Sequence, residues 1–168
     1  MMTSDFESAP SSGAASKASP SGPSLKARAV ALLSRREYSQ LELSRKLAPY
    51  AKDEQELLEV LASLTEQGWQ SDARFVQGIL HRKSPRQGTA LIIQSLRQQG
   101  VPSELVEEAR DQLRQTEMIR ATQVWEKRFA REGIPTDRQA YARQARFLAA
   151  RGFSSDVINR LLRQSDLD

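Results

Sequence analysis

The 168-residue chain sets 25 lysines and arginines against 21 aspartates and glutamates, for a formal net charge of +4, and it contains no cysteine. Disulfides, thiolate metal ligands and cysteine nucleophiles are excluded together, as suits a reducing cytosol, and the single histidine, His81, is too little imidazole for a zinc site or a Ser-His-Asp triad. No apolar run of about 18 residues occurs and the start has neither a basic nor an apolar leader segment, so a cytoplasmic protein without cofactor or metal is expected.

Leu, Ala, Arg, Gln, Glu and Ser dominate, aromatics are 6% and β-branched residues are sparse, which predicts an all-α protein. Residues 1–24 hold eight serines and three prolines and almost nothing able to form a core, and are expected to be a disordered tail. From Leu25 onward apolar residues recur at helical spacing, and polar breaks suggest about nine helices. The first is expected over Leu25 to Arg36. Ser39, with Glu42 three residues on, forms a capping-box pattern opening a second helix that carries Leu43 and Leu47 and stops before Pro49. A third starts near Asp53 and directs Leu57, Leu58, Leu61 and Leu64 inward before Gly68.

Asp72 is the expected cap of the fourth helix, with Phe75, Val76, Ile79 and Leu80 on its apolar side and His81 exposed near its end. Pro85 and Gly88 precede a fifth helix displaying Ile92, Ile93 and Leu96 before Gly100. Pro102 opens a sixth through Leu113, and a seventh spans Glu117 to Arg131 with Val124, Trp125 and Phe129. After Gly133 and Pro135, Thr136 and Gln139 form another capping box for an eighth helix reaching Arg151, and Ser154 to Gln164 makes the last.

Matching positions recur along the chain. Arg28, Arg74 and Arg120 are spaced by 46 residues, as are Arg36, Arg82 and Arg128, and Leu33, Ile79 and Trp125 share an apolar register. The stretch Leu96 to Val106 matches Leu148 to Ile158 at an offset of 52. Three tandem three-helix units, 25–71, 72–115 and 116–168, are therefore expected to stack into an elongated, curved body.

No glycine-rich phosphate loop or paired-carboxylate centre stands out, so a non-enzymatic role is expected. Basic residues gather at unit boundaries: Arg35 and Arg36; Arg82, Lys83 and Arg86; Lys127, Arg128 and Arg131; Arg143, Arg146 and Arg151; with Arg97 a further candidate. Taken singly, arginine at a helix C-terminus is also explained by the macrodipole, but recurrence along a stacked body suits an anionic backbone or an acidic protein surface. Arg28, Arg74 and Arg120, each expected near a helix start, need a compensating carboxylate; for Arg74 this is Asp72 or an acid of the neighbouring unit, with an inter-unit salt bridge preferred. Trp69, Phe75, Trp125, Phe129, Phe147 and Phe153 read as packing between units.

The string Gly68-Trp69-Gln70-Ser71-Asp72-Ala73-Arg74-Phe75 resembles a motif of the RecX family. Arg35-Arg36-Glu37-Tyr38-Ser39, followed by Glu42-Leu43 and Lys46-Leu47, is similar to that family's opening segment. Gly88, Leu96-Arg97 and Gly100 fit its middle, and Arg151-Gly152-Phe153 its end, so the likeness covers about residues 25–165. Ala48-Pro49-Tyr50-Ala51 and Gln70-Ser71 depart from the usual pattern and affect local turns. The resemblance implies a monomeric regulator in DNA repair, recombination and the SOS response. It would lie in the groove of the RecA nucleoprotein filament and oppose its growth, ATPase, strand exchange and coprotease activities, with direct contact to single- or double-stranded DNA. The alternative from the residues alone is a helical nucleic-acid-binding module without a RecA partner.

Overall fold

A computed structural model describes residues 22–163. The expected tail falls almost wholly outside them. Eight α-helices make up the described residues: α1 (Leu25–Leu33), α2 (Gln40–Leu47), α3 (Glu54–Glu66), α4 (Asp72–Lys83), α5 (Thr89–Gln98), α6 (Ser103–Phe129), α7 (Arg138–Ala150) and α8 (Ser155–Leu162). Pro49 lies in a short 3-10 turn, Ala48–Tyr50, that follows α2 directly.

The difference from nine helices lies in α6. The break expected between Leu113 and Glu117 does not exist, and one 27-residue helix runs through. Arg114, Gln115, Thr116 and Glu117 include neither glycine nor proline, so nothing local stops propagation. Other boundaries also move. Helix α1 ends at Leu33, Asp137 rather than Thr136 caps α7 by accepting from the Ala140 amide at 2.8 Å, and α8 ends at Leu162. Ser39 does cap α2, accepting from the Glu42 amide at 3.1 Å, but the Glu42 carboxylate turns to Arg36 instead of closing the box.

The helices pack in three groups. Helices α1, α2 and α3 pack on one another; α4, α5 and the first half of α6 do the same; the second half of α6 packs with α7 and α8. Three apolar clusters follow this order: the first includes Leu25, Leu43, Leu47 and Leu64, the second Phe75, Ile92, Leu96 and Leu113, and the third Ala121, Leu148, Phe153 and Leu161. The architecture is thus all-α and tandem. Each fully buried leucine contributes about 1.5–3 kcal/mol by leaving water. Leu58 does not join the first cluster, being 55% exposed on the outer side of α3, and Trp69 is 47% exposed rather than packed between groups. Helix α3 stops where Gly68 adopts φ +75°, letting the Trp69 amide return to the Leu64 carbonyl at 2.9 Å.

Candidate polyanion-binding surface

Two junctions hold the groups in register. At the first, Ser71 rather than Asp72 caps α4, accepting from the Arg74 amide at 3.3 Å. This frees the Asp72 carboxylate to accept from the Gln40 amide at the start of α2 and from the Gln70 side chain, both at 2.9 Å. Arg74 pairs with Glu37 at 2.7 Å and donates to the carbonyls of Gly68 and Trp69 at 2.9 and 3.0 Å. Gln70 is buried and donates to the Tyr38 carbonyl at 3.2 Å. The two residues that depart from the family motif, Gln70 and Ser71, are therefore both engaged at this junction.

The second junction turns on α6. Glu117, 6% exposed, accepts from the Thr89 amide at 3.3 Å and the Ser154 amide at 3.4 Å, joining the starts of α5 and α8. Arg120, also 6% exposed, donates to the carbonyls of Gln87 and Leu113 at 2.5 and 2.9 Å and to the Thr89 hydroxyl at 3.3 Å. It sits in mid-helix rather than near a helix start. Burial pushes the Arg120 guanidinium below its ordinary pKa, and the Glu117 charge one turn away opposes that shift. The turn that ends α7 closes on α5: the Gly88 amide donates to the Arg151 carbonyl at 2.7 Å and the Ala90 amide to the Gly152 carbonyl at 3.1 Å. A Cβ on Gly88 would stand 2.2 Å from the Gly152 carbonyl carbon, so the two backbones meet where no side chain fits. Gly100 makes a similar approach at the other junction, where an added Cβ would meet the Leu41 side chain at 2.6 Å.

The second junction gathers cations. Arg86 from the turn before α5, Lys127 and Arg128 from the last turn of α6, and Arg151 at the end of α7 line one open hollow of about 530 Å3 with Pro85, Val124 and Phe147. Arg151 lies over the Phe147 ring at 3.7 Å and donates to the Phe147 carbonyl at 3.3 Å. Among the described residues, no carboxylate belongs to this lining. Four cations and one aromatic ring line the hollow without a carboxylate among them, a lining that favours an anion.

The remaining candidates are dispersed. Arg36 is bound by Glu42 and lies over Tyr38 at 3.7 Å, and the Glu42 hydrogen bond raises its pKa. Arg143 pairs with Glu132, and Arg97 stands 3.7 Å from Glu107. The Lys83 ammonium donates to the Ser95 hydroxyl at 2.7 Å. Arg35, Arg82, Arg131 and Arg146 are exposed away from the hollow, Arg35 beside Arg28, Lys46 and Tyr50 in a smaller one. Sequence reading singles out neither Glu117 nor Gln144, whose buried amide accepts from the Trp125 indole at 2.7 Å and donates to the Gly133 carbonyl at 3.2 Å. Their signal is a polar side chain in an apolar register: Leu113, Glu117, Ala121, Val124 on one helix and Tyr141, Gln144, Ala145, Leu148 on the other.

Among the described residues no helix is long and apolar enough to cross a membrane, and no three acidic, histidine or cysteine side chains are grouped to hold a metal. Fold and surface together define a class: a tandem helical protein whose cations converge where two groups of helices join. The family model described as RecX, third three-helix domain, matches residues 115–162. A regulatory protein RecX from Leptothrix cholodnii is 46% identical over 85% of this chain and 90% of its own length, and one from Ralstonia nicotianae is 43% identical over 85% and 89%. The crystal structure of RecX from Lactobacillus salivarius superposes with a TM-score of 0.74 at 19% identity, covering 86% of this chain and 96% of that one, a likeness of fold. The chain belongs to the RecX family of regulatory proteins.

Proposed function

We propose that this protein binds the RecA nucleoprotein filament in the cytoplasm as a monomer and restrains its growth, ATP hydrolysis, strand exchange and coprotease activity, without catalysis of its own. The observation that carries the reading is the convergence of Arg86, Lys127, Arg128 and Arg151 from three separate segments on one acid-free hollow. Three units, 25–71, 72–115 and 116–168, repeat along the chain, so neighbouring filament subunits are engaged by successive weak interactions that add through effective concentration. DNA phosphates within the filament supply the anions for the hollow, whether single- or double-stranded.

The test is the single-strand-stimulated ATPase of RecA at low and physiological salt with purified protein added. Inhibition at amounts stoichiometric with the filament or below is expected. Unchanged ATP hydrolysis alongside retained DNA binding would instead make the chain a nucleic-acid-binding module that does not act on RecA.

A further inference from the structure

The first group of helices carries a hollow of its own, of about 290 Å3, where α1 and the residues just after it face the last turn of α2 and the 3-10 turn. Arg28, Arg35 and Lys46 supply its charge, Ala31 and Leu32 part of its wall, and Tyr50 its aromatic side. No carboxylate belongs to this lining, and among the described residues none of the three cations makes an ion pair. Tyr50 closes the turn that Pro49 opens and takes no part in the first apolar cluster. It stays 58% exposed although Arg28 lies over its ring at 4.2 Å.

Comparison with the acid-free hollow at the second junction selects the ligand. There the aromatic ring is already engaged: Arg151 lies over Phe147 at 3.7 Å, and buried Phe129 meets that ring in a T arrangement with centroids 5.0 Å apart. That hollow offers cations to phosphates but no open ring to a base. The hollow of the first group offers both. A nucleotide in a single strand brings a phosphate for the cations and a flat base for the ring, and stacking of this kind tolerates any base. An acidic side chain would use the cations and leave Tyr50 idle. A duplex holds its bases inside the stack and presents only its phosphates to such a surface.

We infer that the hollow of the first group binds one unstacked nucleotide of single-stranded DNA, its base against Tyr50 and its phosphate between Arg35 and Lys46. Base contact then belongs to the first group and phosphate contact without base contact to the second junction. The assignment goes beyond the filament reading, because it requires no RecA.

The experiment measures, by fluorescence anisotropy at low salt and without RecA, the affinity of the full chain for a labelled oligothymidylate, an abasic strand of the same length and a duplex of the same length. Tyr50→Leu should weaken oligothymidylate binding by about tenfold, within the range of one lost base stack. The same variant should bind the abasic strand and the duplex as the wild type does, which also shows that it is folded. Tyr50→Phe, which keeps the ring, should bind all three like the wild type. Arg35→Gln combined with Lys46→Gln should weaken the oligothymidylate and the abasic strand by the same factor. Wild-type affinity of Tyr50→Leu for the oligothymidylate, an equal loss for the abasic strand, or competition by oligoglutamate as effective as that by unlabelled oligothymidylate would each overturn the assignment. Since RecA is absent from the titration, failure here and failure of filament inhibition are read separately.

Discussion

The junction between α3 and α4 and the junction around the middle of α6 cap the first amide of a helix in the same way. Asp72 accepts from Gln40 at the start of α2, and Glu117 accepts from Thr89 at the start of α5. In each, an arginine from the repeated set binds the turn beside that helix, Arg74 through Glu37 and Arg120 through the Gln87 carbonyl. They differ in water. The side chains of Arg74 and Glu37 are 48% and 36% exposed, whereas Arg120 and Glu117 are each 6% exposed as residues. An exposed pair is screened and contributes little, while a buried charge must be fully hydrogen-bonded and becomes costly to disturb. The first junction is a clasp on the surface, and the second is buried where one helix passes from the second apolar cluster to the third.

That contrast is most severely tested by Arg120→Ala, which removes the positive charge one turn from buried Glu117 together with the donor to the Gln87 carbonyl and the Thr89 hydroxyl. Urea denaturation should show a loss of about 3–5 kcal/mol, and a loss under about 1 kcal/mol would remove the distinction between the junctions. Gly152→Ala comes next. Gly152 has φ +84°, and an added Cβ would lie 2.7 Å from the Leu91 amide nitrogen, so strain and overlap should cost about 2–3 kcal/mol by the same measurement. The smallest effect belongs to Arg74→Ala, with a loss below about 1 kcal/mol that shrinks further in high salt. A larger one would mean that the first junction is as tightly built as the second.

Helix periodicity makes most of the architecture legible in the sequence: Ser39, Gly68 and Ser154 mark their boundaries, and the apolar faces of α4, α5 and α8 face the core. The continuity of α6 is not legible, because turn signals on both sides at Gly100 and Gly133 suggest the usual helix length and only the lack of a breaker at 114–117 argues otherwise. Asp72 looks like a cap, yet Ser71, one residue earlier, serves equally well and leaves the carboxylate for tertiary use. The arginine clusters are visible as composition. Their sorting is not, since pairing with Glu42, Glu107 or Glu132 depends on packing across 6 to 11 positions of sequence, and convergence of Arg86 with Arg151 depends on the close approach of Gly88 and Gly152.

The most direct measurement compares wild type with an Arg86→Gln, Lys127→Gln, Arg128→Gln variant in binding to RecA filaments on single-stranded DNA across a salt series. All three side chains are exposed, so the fold should persist. The account predicts at least about tenfold weaker binding and a log-log salt slope shallower by about 0.7 for each phosphate that the variant no longer neutralises. Equal affinity and an identical slope for the two proteins would contradict it.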